Sequence, residues 1–491
     1  MRFSRRRTLA VASAVALSAG ALTTGFAASA TAAGPETTYL ILAPGGSTAK
    51  AASRIVAANG TVVADYHQIG VLVARSTNPT FASDVAGSGV ESVASTTGLG
   101  TLLDEGVTLE TVDSTVLEAA DGDPTGEPLF DEQWDMSQIS VPQAHAVTTG
   151  SSDVVVGVLD SGISSTHPDL ATQIARDKSA SCLGGVVDTS EVAWNPTTSD
   201  HGTHVAGTIA AAINGIGVTG VAPGVKVAAV KVVNNDGYIY PESAICGFMW
   251  AAAQGMQITN NSYYIDPWQF NCRNDERQRP VWQAVQRAIR YSQSRGVLHI
   301  ASAGNSNVDL QHKFTDSGSP NDGSYPIEER TINGACLVLP GQAPGVVTVS
   351  ATGPTRQKSY YSSYGQGVVE VAAPGGDSRS RTQGASSIPA DAVLSTTFNT
   401  TTRTDGWGYK QGTSMASPHA AGVAALAISA NPNLQPGALA SFLQRTADPL
   451  PCPAGIYDPV PLFANYQATC AGGARNSFYG FGEVNAYNVV K

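Results

Sequence analysis

From about residue 128 onward, short apolar runs alternate with longer Ala-rich segments. The apolar runs are rich in β-branched residues and predict strands buried on both faces of a parallel sheet; they occupy 153–160, 225–233, 256–262, 296–305 and 345–353. The Ala-rich segments predict helices; they occupy 201–213, 241–255, 281–296 and 412–428. This alternation predicts a doubly wound α/β domain over 128–491, with ligands at the carboxyl ends of the strands.

A second, smaller unit precedes this domain at 34–97, with strands and helices in the order β-α-β-β-α-β. Its first helix is predicted to begin at the N-cap Ser47 and to end before Gly60. The element order is that of the ferredoxin-like α+β fold, which many small binding domains share.

Residues 98–127 lack both patterns and combine several acidic side chains with a Gly/Pro-rich end. This composition predicts an exposed, cleavable acidic linker. A processing site and a plain tether are equally compatible with it.

The first 33 residues have the layout of a signal peptide. Four arginines between Arg2 and Arg7 precede an apolar stretch from Leu9 to Leu22, and small residues follow near Ala32. A membrane anchor would need a longer uninterrupted apolar span. The "SRRRTL" stretch also resembles a twin-arginine signal, so either export route fits. We therefore expect a secreted, extracellular protein with no membrane contact after signal removal.

Composition narrows the partners. The chain has 491 residues, a net charge of −11, 42% hydrophobic and 14% charged residues. Such a balance is typical of a well-packed globular protein. A basic patch is lacking beyond the extreme N-terminus, which argues against a nucleic-acid partner.

The six cysteines are expected to form disulfides, because their number is even and the compartment is oxidising. We predict sequential pairing: Cys182–Cys246, Cys272–Cys336 and Cys452–Cys470. The last pair is the best supported, since both cysteines lie in one Pro/Gly-rich region. One or two buried, reduced pairs are the alternative.

Two of the predicted elements carry chemically useful side chains at their ends. Asp160 ends a buried strand between Gly157 and Gly162, where it could act in catalysis or cap a turn. His201 and His204 begin a helix. They could bind a metal, but no Glu follows in the His-Glu-x-x-His manner. One imidazole as general base, with the other packed against the sheet, is more economical; spacing does not say which.

Two further positions complete the candidate chemistry. Asn305 follows a strand, where Gly304-Asn305 could form a turn or present an amide donor. Ser414 stands at the predicted start of a helix, where it could be an N-cap or a nucleophile. Together with Asp160 and a histidine, these residues supply an acyl-transfer site, because serine needs a base, the base a carboxylate, and the oxyanion hydrogen-bond donors.

Four segments resemble the signature motifs of the subtilisin-like serine proteases, the subtilases, and occur in that family's order. They are "VLDSGI", "HGTHVAG", "SAGN" and "GTSMASPHAAG". The resemblance covers about 128–491. It implies that Asp160 orients His201, that His201 is the general base, that Ser414 is the nucleophile, and that Asn305 is an oxyanion donor.

The same resemblance implies that 34–97 is a propeptide that assists folding and inhibits the enzyme until cleaved. It implies a monomer that hydrolyses proteins or peptides with no cofactor in the chemistry. Relatives often carry structural calcium, but no carboxylate cluster in the sequence indicates a site, so calcium binding stays open.

The chain departs from the family pattern in three places. Ser161 replaces the commoner threonine. The segment "NNSYYIDPWQFNC" is bulkier than the family's usual Ser-Leu-Gly-Gly turn, through Tyr263, Tyr264, Trp268 and Phe270. The loop after Asn305 is long. Both loops end at a cysteine, and we predict that Cys272–Cys336 joins them beside the cleft.

Two other functions remain as alternatives. A catalytically inactive binding protein on the same fold is disfavoured, because all four site residues are present. An α/β-hydrolase esterase would require Gly-x-Ser-x-Gly, whereas Ala416 follows Met415 here.

Overall fold

A computed structural model describes residues 34–97, 99–104, 107–112, 126–265, 269–317, 319, 329–379, 389–461 and 463–491. The predicted signal peptide lies outside the described residues, as does Trp268. Among the described helices, none combines the length and the apolar character needed to cross a bilayer.

The N-terminal unit contains the six elements predicted for it: β1 (Thr37–Leu42), α1 (Ala49–Ala57), β2 (Gly60–Tyr66), β3 (Val71–Ser76), α2 (Phe81–Val85) and β4 (Ser92–Ser95). Its antiparallel sheet has the order β2-β3-β1-β4. Alternating side chains bury both faces of this sheet. Ile41 and Leu72 face the two helices, whereas Leu40 and Val73 face the larger domain.

Helix α1 begins later than its sequence pattern predicts. Its N-cap is Thr48, not Ser47, and the Thr48 hydroxyl donates to the Asp65 carboxylate at 2.9 Å rather than capping the helix. The chain leaves α1 through Asn59, whose φ of 61° is left-handed, and Gly60 already belongs to β2.

Between the two folded parts lie two short strands, β5 (Thr101–Leu102) and β6 (Val107–Val112). The exposure predicted for the linker is wrong at its start, because Leu99 and Leu103 are buried. These leucines pack into the same apolar core as the N-terminal sheet. Residues 98, 105–106 and 113–125 of the predicted linker lie outside the described part.

The first half of the larger domain comprises these elements: α3 (Trp134–Gln138), α4 (Val141–His145), β7 (Val155–Asp160), β8 (Ala180–Ser181), α5 (Glu191–Trp194), α6 (His201–Ala210), β9 (Lys226–Lys231), β10 (Tyr238–Ile239), α7 (Pro241–Ala253), β11 (Ile258–Asn261), β12 (Asn271–Cys272) and α8 (Arg279–Ser294).

The second half comprises β13 (Leu298–Ser302), β14 (Thr315–Asp316), β15 (Arg330–Thr331), β16 (Cys336–Leu337), β17 (Val347–Thr352), β18 (Val371–Pro374), β19 (Val393–Asn399), β20 (Thr404–Gln411), α9 (Thr413–Ala430), α10 (Pro436–Thr446), β21 (Ile456–Tyr457) and β22 (Ala468–Thr469).

Seven parallel strands form the central sheet, in the order β18-β17-β13-β11-β7-β9-β8. The five predicted strands are its middle members, which confirms the α/β class. The two edge strands were not predicted. β8 has only two residues, and β18 has four and ends at Pro374, so neither produces a long apolar run.

Helices cover both faces of this sheet. The buried side chains of α6 and α9 share one core with the sheet, and those of α7 and α8 share the other with the N-terminal unit. Helix α9 is rich in Ala and Gly and is buried from Thr413 to Ile428, because small side chains allow it to lie close against the strands.

The structure contains three disulfides, Cys182–Cys246, Cys272–Cys336 and Cys452–Cys470, the pairing expected from the sequence. Cys272 and Cys336 also face each other across the β12–β16 pair, so the two long loops meet there as expected.

Candidate active site

Asp160 is the last residue of β7 and is fully buried. The chain turns sharply after it at Gly162, which has a φ of 103°. A Cβ at Gly162 would lie 2.4 Å from the carbonyl oxygen of Trp194, so only glycine fits this position. The turn leaves the Asp160 carboxylate at the carboxyl end of the central sheet.

His201 is the first residue of α6 and faces Asp160. Its Nδ1 lies 2.9 Å from Oδ1 and 3.0 Å from Oδ2 of that carboxylate. A carboxylate only accepts hydrogen bonds, so Nδ1 carries the proton and Nε2 is the basic nitrogen. This is the tautomer that a general base requires.

Ser161 and Gly202 fix the approach of α6 to the end of β7. The Ser161 hydroxyl accepts the Gly202 amide at 3.0 Å, a bond that threonine would also make, so this departure preserves the contact. A Cβ at Gly202 would lie 3.0 Å from the Asp160 Cβ and 2.4 Å from the Gly162 carbonyl oxygen. The glycine therefore permits the close contact between Asp160 and His201.

His204 points away from this pair. Its Nε2 lies 3.2 Å from the carbonyl oxygen of Val393 and 3.1 Å from that of Gly408, on the β19–β20 hairpin. Burial, and then the charge of Lys410, lower the pKa of His204 to about 3, so the ring is neutral. The two histidines thus divide as the economical interpretation has it, although His204 packs against a hairpin rather than the central sheet.

Ser414 lies in the first turn of α9 but is not its cap, because the N-cap is Gly412. Its hydroxyl donates to the carbonyl oxygen of Ser262 at 3.2 Å. Ser262 follows β11, the strand next to β7, and its own hydroxyl donates to the Ser414 carbonyl oxygen at 3.0 Å. Ser262 is a positioning residue that the sequence analysis missed.

Asn305 follows β13, the neighbour of β11 on the other side. Its side-chain oxygen accepts both the amide and the hydroxyl of Thr413 at 2.8 Å. These two bonds orient the amide group, so that Nδ2 points into the cleft. There it donates to the Asp104 carboxylate at 2.7 Å.

Asp104 and Ser414 line the same small cavity, of about 20 Å³, together with Tyr263, Asn305 and Ser262. The bulk predicted for the "NNSYY" segment is therefore at the cleft. Burial, and then the charge of Asp160, raise the pKa of the Tyr263 hydroxyl, which donates to the Asn261 side chain at 3.2 Å. The ring is a fixed wall of the cavity.

A second buried histidine–carboxylate pair lies one turn further along α9. His419 contacts Asp135 through Nε2 at 2.8 Å and the carbonyl oxygen of Met415 through Nδ1 at 2.8 Å. Both ring nitrogens are engaged, so this pair joins α9 to α3 and takes no part in base chemistry.

Comparison with known proteins agrees with this geometry. A family model described as the subtilase family matches residues 151–482. The chain belongs to the subtilase family. Its class is therefore serine endopeptidase, acting on protein or peptide substrates.

Individual relatives give the extent of the similarity. This subtilase is 32% identical to Subtilisin BL of Lederbergia lenta over 321 residues, which are 65% of this chain and 91% of the relative. It is 29% identical to fervidolysin of Fervidobacterium pennivorans over 331 residues, which are 66% of this chain but only 41% of that longer protein.

Solved structures show the same fold. The epidermin leader peptide processing protease EpiP of Staphylococcus aureus has a TM-score of 0.68 at 20% identity, over 93% of this chain and 98% of that one. Fervidolysin has a TM-score of 0.64 at 22% identity, over 93% of this chain and 61% of that one. At such identities the likeness concerns the fold alone.

Within the described part of this subtilase, no three His, Cys, Asp or Glu side chains are grouped so as to hold a metal ion.

Proposed function

We propose that the chain is a secreted precursor of a serine endopeptidase, in which Ser414 attacks the peptide carbonyl and forms an acyl-enzyme that water hydrolyses. The observation that carries the proposal is the buried Asp160–His201 pair, with Nδ1 on the carboxylate, in a cleft shared with Ser414 and Asn305.

In the proposed mechanism His201 takes the proton of Ser414 at Nε2 and later gives it to the leaving amine. Asp160 stabilises the imidazolium that forms. The oxyanion is stabilised by Nδ2 of Asn305 and by the backbone amide of Ser414 in the first turn of α9. These groups are all part of the protein, so the chemistry needs no cofactor. A structural calcium ion would be a separate question of stability.

The N-terminal unit acts, in this proposal, as an intramolecular inhibitor and folding aid. Its sheet packs on α7 and α8. Arg287 of α8 donates to the carbonyl oxygen of Ala43 at 2.9 Å and pairs with Glu91. The chain then enters the cleft, where Leu103 donates to the Gly237 carbonyl oxygen at 2.8 Å and Asp104 occupies the donor of Asn305.

Ser414→Ala tests the catalytic assignment. We expect no cleavage of a denatured protein, no labelling by a fluorophosphonate, and a precursor that remains uncut within 98–127. Ser429→Ala, at the far end of the same helix, is the matched control and should behave as wild type. An active, normally processed Ser414→Ala protein would refute the proposal.

The alternatives give different results in the same assays. An inactive binding protein would leave the wild type unlabelled by the fluorophosphonate. An esterase would hydrolyse simple esters but no denatured protein. N-terminal sequencing of protein from the medium tests secretion and removal of residues 1–33, and light scattering tests the proposed monomer.

A further inference from the structure

The segment that crosses the cleft is paired on both sides of Ser414. Before the cleft, β5 pairs with β10, Thr101 opposite Ile239 and Leu102 opposite Tyr238. After it, β6 pairs antiparallel with β20, from Val107 opposite Gln411 to Val112 opposite Trp407. Strand β20 leads directly into Gly412 and Ser414, so this second pairing begins at the nucleophile.

Strand β20 is held on its other edge by β19, through seven consecutive pairs. The edge towards β6 would otherwise present unpaired backbone N–H and C=O groups, which readily bind another extended chain. Its side chains are occupied within the domain: Trp407 donates to Asp169 at 2.8 Å, and Lys410 pairs with Asp200 at 2.6 Å. The edge therefore offers mainly backbone, next to the site of cleavage.

We infer that this edge of β20, Trp407–Gln411, is a docking surface for the part of a polypeptide substrate that follows the cleaved bond. The inference rests on the proposed function, because β6 must leave for the edge to open. The occupant is an extended chain that binds as an added antiparallel strand and is recognised through its backbone.

The position of β6 gives the length of that strand. Counted from Asp104, which contacts Asn305, Val107 is the third residue and Val112 the eighth. The register shifts between Tyr409 and Lys410, so that Leu109, the fifth residue, has no partner in the pairing. Substrate residues three to eight are expected to pair, with residue five outside the ladder.

Peptide length tests this surface. Internally quenched peptides share one sequence up to the cleaved bond and carry 2, 4, 6, 8 or 10 residues after it. With processed enzyme whose N-terminus has been sequenced, kcat/KM should rise about fivefold for each backbone hydrogen bond gained and level off beyond the eighth residue. A kcat/KM that stays flat after the third residue would overturn the inference.

Backbone methylation is the matched control. Opposite Tyr409 and Gly408 stand residues six and seven, and one of two neighbouring residues always points its N–H at the partner strand. N-methylation of both should cancel the gain of the eight-residue peptide, whereas N-methylation of residue five should not. Equal effects at both places would contradict strand pairing.

A capped peptide with the sequence of residues 107–112 gives an independent measurement. It should raise the KM of the long substrates and leave that of the two-residue substrate unchanged; inhibition of both alike, or of neither, would count against the surface. Retention of β6 in the processed, active enzyme would also overturn the inference. If no peptide is hydrolysed at all, the proposed function itself fails, and this inference with it.

Discussion

Glu242 should make the affinity of the N-terminal unit for the peptidase domain depend on pH. It lies in the first turn of α7 and is 4% exposed. It borders a cavity of about 290 Å³ whose other wall includes Thr38, Thr96 and Glu36 of the N-terminal unit. Burial raises the pKa of Glu242 to about 7, against smaller opposing effects that include a hydrogen bond from Thr96 and the charge of Arg75.

The size of the effect follows from two pKa values. Once the N-terminal unit has left, the Glu242 side chain faces water and its pKa returns to the ordinary value of 4.5. The protonated form is thus favoured in the complex. Binding should be tightest below about pH 4.5, weaken between 4.5 and 7, and level off above 7. The interval of about 2.5 pH units corresponds to a roughly 300-fold change in affinity, or about 3 kcal/mol.

Activation after a pH jump measures this linkage. Self-cleaved complex is incubated between pH 4.5 and 8.5 and then assayed briefly at one common pH, so that the titration of His201 does not contribute. Release should accelerate between pH 4.5 and 7 in the wild type. Glu242→Gln should release slowly at every pH, because glutamine mimics the protonated acid.

Glu36→Gln is the control for this experiment. Glu36 lines the same cavity, but its side chain is 64% exposed, so its replacement should leave the pH dependence in place. If Glu242→Gln keeps the wild-type pH profile, burial of this carboxylate does not govern release, and the reasoning is wrong.

Three further substitutions have distinct expected effects. Asn305→Ala should lower kcat by about 10²–10³ with little change in KM, a magnitude known from subtilisin itself rather than derived for this chain; equal losses in a Thr413→Ser control would point to misfolding. Glu127→Gln should cost about 2 kcal/mol in denaturant unfolding of the Ser414→Ala protein, because the buried carboxylate accepts the amides of Asn214, Gly215 and Ile216 at 2.5, 2.9 and 3.1 Å. His204→Gln should lower stability but leave the pH–rate profile in place, since this neutral ring bonds only backbone carbonyls in the described structure; a shifted profile would give His204 a part in catalysis.

The middle of the fold was predictable because buried parallel strands and Ala-rich helices give continuous patterns. β7 and α6 lie where the sequence placed them, and so Asp160 and His201 fall at their ends. The pairing of these two side chains was not predictable from spacing. It depends on the close approach that Gly202 permits, and on His204 being turned towards the β19–β20 hairpin.

The sequence was least informative where short segments borrow their order from another part of the chain. β5 and β6 lie in a stretch whose acidic composition favours an exposed tether, yet each becomes a strand because an edge of the larger domain completes its hydrogen bonds. Ser262 and Thr413 were missed for a related reason. Their role lies in backbone and side-chain contacts to Ser414 and Asn305, and no local pattern reports it.

Two buried Asp–His pairs in one domain show why the partners of a residue decide its chemistry. His419 has both ring nitrogens bonded, to Asp135 and to the Met415 carbonyl, and lies inside α9. His201 meets its carboxylate through Nδ1 from the first turn of α6, beside the cleft. Only a histidine at the end of an element can direct its second nitrogen towards a substrate, because the interior of a packed helix leaves no room for one. The same reasoning applies to Ser414, whose place in the first turn of α9 gives it both an accessible hydroxyl and a backbone amide not needed by the helix.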